Sequence, residues 1–401
     1  MPLRLLVVSE WFPYPPIAGA KIRAYNLIRQ LARLAEVDLV AQVRTLTPDQ
    51  LAAGQEHMGQ YCGSVEAVPV VPYQYSAAKA LRALVDPVPP VVRYMHNLPL
   101  EQAVADKLSR GYDAVVGTIS GYPSATLHSL VRLGAHPLIA DSLELGVFRP
   151  KKRKISPRYA RNAYTWWHMR RFTRAILRDV DVVTVTSEAE QALFSNLLRD
   201  PDQCVVVPNM LDLRDYQGQH GLRDYNTLLY AGSFGYIANY EAMLWFTQDV
   251  FRSIANRQIV KVRVTGNTAG RDLAPLKEAC PPIEFTGFVD DIRPYFAQSG
   301  ICIVPILSGG STRLKILEAL AWGTPVVSTH IGAEGLEVTH EQNILLADTP
   351  ADFAKAIDRL IQDRDLWLRI AQGGRCLVEE RYSTDRMSHQ LARILARLKS
   401  Q

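Results

Sequence analysis

A chain of 401 residues is long for one compact unit, at about 150 residues per domain, and suits two large domains. Its 48% hydrophobic and 21% charged residues, with 24 glycines and 24 prolines, exclude disordered, collagen-like and mucin-like chains. The formal charge of +5 hides an asymmetry, because residues 149–178 hold eleven Lys or Arg and no Asp or Glu, leaving 34 basic against 40 acidic residues elsewhere.

Short apolar runs alternate with helical patterns along the whole chain, as in parallel sheets flanked by helices. The apolar stretch Leu5 to Val8 is too short for a signal-peptide core and reads as a first buried strand. Further strands are expected at Val37 to Val43, Ser64 to Val71, Asp113 to Thr118, Leu138 to Asp141, Asp181 to Thr186 and Cys204 to Val207. Between the first two, Ile22, Tyr25, Ile28, Leu31 and Leu34 recur at three-residue steps and predict a helix, with Lys21, Arg23, Arg29 and Arg33 on its other faces. The polar segment Met210 to Asp224 reads as a linker. A second series follows, with strands at Thr227 to Ala231, Ile259 to Thr265, Ile283 to Phe285, Ile301 to Ile306, Pro325 to Ser328 and Ile344 to Leu346, and a final helix from Thr384 to Leu398. The expected division is 1–215, 222–384, and a last segment 385–401 packing back on the N-terminal domain.

No apolar stretch is long enough to span a membrane. Five scattered cysteines without a C-x-x-C pair argue against a disulfide scaffold or a zinc site and fit a reducing cytoplasm. The basic strip also carries Tyr159, Tyr164, Trp166 and Trp167, a composition that suits an anionic membrane surface. It equally suits a solvated helix face with packed tryptophans. No recognition motif for nucleic acid accompanies it.

No two glycines are spaced as G-x-G and no Gly precedes Lys, so the dinucleotide fingerprint and the Walker P-loop are both absent. No H-E-x-x-H occurs either. A D-x-D triplet, Asp179 to Asp181, lies before its strand, whereas ligands of open parallel sheets gather after the strands. It therefore reads as helix-to-strand punctuation, and Ser187 beyond the strand reads as a helix N-cap.

The informative stretch is the strand from Ile301, the turn Gly309-Gly310-Ser311-Thr312, and a helix carrying Arg313, Lys315 and Glu318. Free N–H groups at that helix start form a cradle for a diphosphate. Cations in the first turn oppose the helix dipole, which makes sense if an anion binds there. Lys315 and Glu318 share a helical face, while Leu314, Leu317 and Ala321 form the apolar one, so a cation for phosphate and a carboxylate for ribose hydroxyls point at one nucleotide.

The run Gly310 to Ser328, with its K-x-x-E-A-x-A-x-G-x-P-V-V pattern, resembles the donor site of family 4 glycosyltransferases. The likeness extends through Pro15 to Leu31, Val207 to Asn209, Leu229 to Ser233, Thr286 to Asp290 and Gly332 to Leu336. It implies an α/β GT-B fold: two doubly wound Rossmann-like domains facing across a cleft. It further implies retaining transfer from a nucleotide diphospho-sugar to a saccharide or lipid-linked acceptor, without metal or other cofactor and without a protein nucleophile. Bacterial polysaccharide or glycoconjugate synthesis, at the cytoplasmic face of the membrane through 149–178, is the expected setting. Arg313, Lys315 and Asp141 are the expected catalytic residues. Glu318, Gly309, Gly310, Ser311, Thr312, Gly232, Ser233, Gly287, Phe288 and Val289 are expected at the donor, and Gly19, Ala20 and Lys21 at the acceptor. Two departures stand out. The first of the family's two motif glutamates falls on Gly310, and the Arg and Lys usual after the first strand of the second domain are replaced by Gly232-Ser233-Phe234 and Asn239. A GT-B nucleotide-sugar epimerase and a non-catalytic degenerate transferase acting as a binding partner are the alternative readings.

Overall fold

A computed structural model describes residues 3–17, 19–71, 87–121, 124–144, 157–218, 221–308 and 314–399. Contacts divide the chain into two units, 1–208 with 387–401, and 209–386. Among the described residues, no helix is long and apolar enough to cross a membrane.

The N-terminal unit is built on a seven-stranded sheet of β1 (Leu3–Ser9), β2 (Ala35–Val43), β3 (Ser64–Pro69), β4 (Ala114–Gly121), β5 (Leu138–Leu143), β6 (Val182–Val185) and β7 (Cys204–Val206), in the order β3-β2-β1-β4-β5-β6-β7. Every pairing is parallel. Strands covered on both faces bury side chains of both parities, and every residue of β5 and β6 is buried. The helix Gly19–Leu31 lays Ala24, Leu27, Ile28 and Leu31 against the sheet. Helix Pro48–Gly59 starts at a capping box, in which Thr47 and Gln50 bond each other's backbone. Helix Thr384–Lys399 completes this unit from the far end of the chain. Leu391, Ile394 and Leu395 meet Leu27, Leu31, Val116 and Ile139, and Arg397 Nη1 donates to Asp202 O at 2.7 Å.

The second unit carries β8 (Asp224–Ala231), β9 (Lys261–Thr265), β10 (Ile283–Gly287), β11 (Ser299–Val304), β12 (Val326–Ser328) and β13 (Leu345–Leu346), ordered β10-β9-β8-β11-β12-β13 and again all parallel. In both sheets the winding reverses beside the first strand, between β1 and β4 and between β8 and β11. A crevice opens outside the carboxyl ends of the strands at such a reversal, and ligands of doubly wound sheets bind there.

Candidate active site

At the reversal in the second unit, β8 ends on Gly232 and Ser233. The Gly232 N–H donates to Thr265 O at 2.9 Å. A Cβ at Gly232 would lie 2.8 Å from Lys315 Nζ and 2.9 Å from Asn239 Nδ2, so a larger residue there would push both side chains off the strand end. Gly266, with φ +126, carries its backbone so close that a Cβ there would lie 2.7 Å from the Gly232 carbonyl. Its N–H donates to Gly287 O at 2.9 Å, which brings the end of β10 into the same row. Beyond it Phe288 is 55% exposed and Val289 half-buried.

Lys315 is the one half-exposed residue of the helix Leu314–Ala321. Its Nζ lies 4.3 Å from the Tyr230 ring centroid and donates to Asn239 Oδ1 at 3.4 Å. Tyr230 OH donates to the same oxygen at 2.8 Å, and Asn239 Nδ2 donates to Ser233 O at 2.8 Å. Asn239 and the Tyr230 ring thus place the ammonium over the end of β8, within electrostatic reach of Glu318. Asn239 positions this lysine.

Glu318 lies one turn further on and is 8% exposed. Tyr216 OH donates to Glu318 Oε1 at 3.2 Å. Burial pushes the Glu318 carboxyl up to about 7, against the opposing pull of the Tyr216 hydrogen bond, Lys315 and Arg293. The phenol of Tyr216 is itself held well above its ordinary range by burial and by Glu318. A desolvated carboxylate with free acceptor capacity gains most from ligand hydroxyls that restore its hydrogen bonds.

Several expectations change here. The helix buries Leu314, Ile316, Leu317, Glu318, Ala319, Leu320 and Ala321, so its apolar face is far wider than a Leu314, Leu317 and Ala321 stripe. The segment 210–224 is no loose linker. Leu211 N–H bonds Tyr382 O at 2.8 Å, Arg293 Nη1 donates to Asp215 O at 3.4 Å, and Tyr216 is buried against Glu318. Polar composition concealed Tyr216, whose only sequence signal is an aromatic among charged neighbours. Gly309, Gly310, Ser311, Thr312 and Arg313 lie outside the described residues.

In the N-terminal unit, Asp141, expected as a catalytic residue, lies within β5 as a buried, ion-paired carboxylate. Arg23 grips it through Nε to Oδ2 at 3.0 Å and Nη2 to Oδ1 at 2.7 Å, and Thr184 Oγ1 donates to Oδ1 at 2.6 Å. The Arg23 and Asp141 side chains are 4% and 2% exposed. Arg23 Nη1 also donates to Val207 O at 2.8 Å, so the pair ties the first helix to β5, β6 and the end of β7. Gly19, Ala20 and Lys21 open that helix, and burial lowers the Lys21 ammonium from its ordinary value. Asp181 accepts from Leu138 N–H at 2.6 Å, and Ser187 caps its helix through Glu190 N–H at 3.3 Å.

Two family profiles match the chain. One, described as "Glycosyl transferase 4-like domain", matches 18–210, and one described as "Glycosyl transferases group 1" matches 225–363. Among curated relatives, a putative glycosyltransferase of Bacillus subtilis, YtcC, is 24% identical over 51% of this chain and 58% of its own length. The lipopolysaccharide core biosynthesis glycosyltransferase LpsE of Rhizobium meliloti is 30% identical over 28% and 34%. The matches thus span from about a third to under three-fifths of these relatives. Among solved structures, Anabaena HepE in complex with UDP and glucose covers 98% of this chain and 99% of its own at 15% identity, with a TM-score of 0.68. TarM covers 98% of each at 10% identity and a TM-score of 0.71. These likenesses establish the GT-B fold.

Proposed function

The chain belongs to the family 4 glycosyltransferases, and on that premise we propose that it moves a sugar from a nucleotide diphospho-sugar to a saccharide or lipid-linked acceptor with retention of configuration. The observation that carries this reading is the pairing of Lys315 and Glu318 on one buried helix at the sheet reversal, beside the glycine row Gly232, Gly266 and Gly287. Lys315 faces the diphosphate and Glu318 accepts from the ribose hydroxyls. That HepE is found with UDP and glucose supports a nucleotide-sugar donor for the same fold.

In the reaction, the bond between the sugar's anomeric carbon and the β-phosphate oxygen breaks, and that oxygen takes the electron pair. Lys315 and the positive end of the helix Leu314–Ala321 neutralise the growing charge. The acceptor oxygen bonds to the anomeric carbon on the departing face and passes its proton to the leaving diphosphate, so neither metal nor protein nucleophile is required. We place the acceptor on the N-terminal unit near Gly19, Ala20 and Lys21. The relatives named for lipopolysaccharide synthesis support a bacterial polysaccharide or glycoconjugate product, made at the cytoplasmic membrane face.

A panel of nucleotide sugars in thermal shift tests the reading, since a ligand at 100 times its Kd stabilises by about 2.7 kcal/mol. The stabilising donor should then release nucleoside diphosphate with an acceptor present and give a product of unchanged anomeric configuration by NMR. An epimerised donor, or no turnover with any donor, would overturn the proposal.

Glu318 supplies a pH signature. Its carboxyl titrates near 7 when folded, above the ordinary 4.5, so its proton-linked stability is fully present below 4.5 and is lost as pH rises through about 7. Ribose hydroxyls favour the ionised form. Donor affinity should therefore rise by up to about ten-fold per pH unit below 7 and level off above it. Glu318→Gln should bind donor about 1 to 3 kcal/mol more weakly and lose the pH dependence. Calorimetry with an intact nucleotide sugar, whose phosphates do not titrate in this range, reads both.

A further inference from the structure

Helix Pro157–Ile176 runs into a 3-10 turn, Leu177–Asp179. Its inner side chains Met169, Phe172, Ile176 and Leu177 are buried in the core of the N-terminal unit. Its outer positions Tyr164, Trp167, Arg171, Arg174 and Arg178 are all exposed and recur three or four residues apart, which sets them on one stripe. Tyr164 and Trp167 leave 46% and 55% of their surface in solvent. The Arg171 guanidinium lies 5.8 Å from the Trp167 ring centroid. The stripe is therefore aromatic at one end and cationic at the other.

At the cationic end, Arg174, Arg178 and Arg199 surround an open cleft of about 230 Å³, lined otherwise by Leu177, Leu197, Leu198 and Asn196, with no carboxylate in its walls. Capping of a helix end accounts for Arg174, whose Nη2 donates to Asn196 O at 3.1 Å. It does not account for the other two, because Arg178 and Arg199 make no hydrogen bond or ion pair to any described residue. Guanidinium groups that converge without a counter-ion repel one another, and their fork geometry matches phosphoryl oxygens.

The position of the cleft separates it from the transfer site. The helix leaves the carboxyl end of β5 and returns to the amino end of β6, and the loop bearing Arg199 leads into the amino end of β7. Twenty residues of helix rise roughly 30 Å, so the cleft lies at the sheet edge opposite to the one where ligands of doubly wound sheets react.

We propose that this cleft holds the phosphoryl headgroup of an anionic phospholipid, with Trp167 and Tyr164 seated at headgroup level on the same bilayer surface. Amphipathic rings settle at that depth, and arginines gain most beside an anionic leaflet. The inference deepens the membrane setting proposed above, and vesicle binding is measured without donor or acceptor, so its failure would leave the transfer reading standing.

The experiment is co-sedimentation of the full chain with phosphatidylcholine vesicles containing about a quarter phosphatidylglycerol, across a salt series. Wild type should bind at low salt and release as salt rises. Arg178→Gln with Arg199→Gln should weaken binding roughly 25-fold, or about five-fold per arginine, and flatten the salt dependence. Removing the same charge elsewhere, by Arg252→Gln with Arg369→Gln, should change binding by no more than about two-fold. Trp167→Ser should lower binding with its salt dependence intact. Equal losses from both arginine pairs would reduce the effect to net charge and overturn the site. So would unchanged binding by the cleft variant, or equal binding to pure phosphatidylcholine. Inorganic phosphate at millimolar concentration should not displace the vesicles. If it does, the cleft takes free phosphate instead, and the lipid proposal fails.

Discussion

Lys315→Ala is expected to lower kcat on the order of 100- to 1000-fold while changing the dissociation constant of the nucleoside diphosphate far less. The argument starts from placement. A lysine in the first turn of a helix opposes the dipole, and this one is placed over the end of β8 by Asn239 and the Tyr230 ring. Such an ammonium is preorganised, so its attraction grows with the charge on the departing diphosphate and costs no rearrangement when the bond breaks. Lys315→Arg should recover little, because a planar guanidinium cannot keep the point contacts that the ammonium makes with Asn239 Oδ1 and the Tyr230 ring. Steady-state kinetics beside a direct binding constant check this. Normal turnover in the alanine variant would show that backbone N–H groups suffice, and the charge-placement argument would be wrong.

The second large effect concerns stability. Asp141→Ala should destabilise the N-terminal unit by about 3 to 5 kcal/mol, because it strands the Arg23 guanidinium in a buried site. At roughly 2 to 4 °C per kcal/mol for a unit of this size, the melting temperature should fall by about 6 to 20 °C. Asp141→Asn should cost less, since the amide still offers Arg23 one acceptor. Thermal unfolding distinguishes this from a sugar contact: a variant with normal melting and a raised acceptor KM would return Asp141 to the acceptor site.

The thirteen described strands overlap the runs expected for them: central strands such as β1 and β11 read as near-continuous Val, Ile and Leu, and edge strands such as β3 and β10 as alternating ones. Placement within one element was equally legible, as with Lys315 and Glu318, three residues apart on one helix. Sites formed across the chain were not. Arg23 reads as an outward charge when only its own helix is considered, and its partner is 118 residues away. Tyr216 sits in a polar stretch that looks like a linker, and its burial depends on Glu318, 102 residues further on. Periodicity reports which way a side chain faces relative to its own element, and it carries no information about the distant groups that make burial of a charge tolerable.

The helix Thr384–Lys399 has a consequence for biosynthesis. Residues 387–401 belong with 1–208, and Leu391, Ile394 and Leu395 cover Leu27, Leu31, Val116 and Ile139. While the ribosome is still making the second unit, the first has its sheet but lacks this cover, so an apolar patch stays open to water until the last turns emerge. Nascent domains ordinarily close in order from the N-terminus. Here the first unit to be translated is the last to be sealed. A fragment ending near residue 386 should therefore aggregate even though every strand of its first sheet is present.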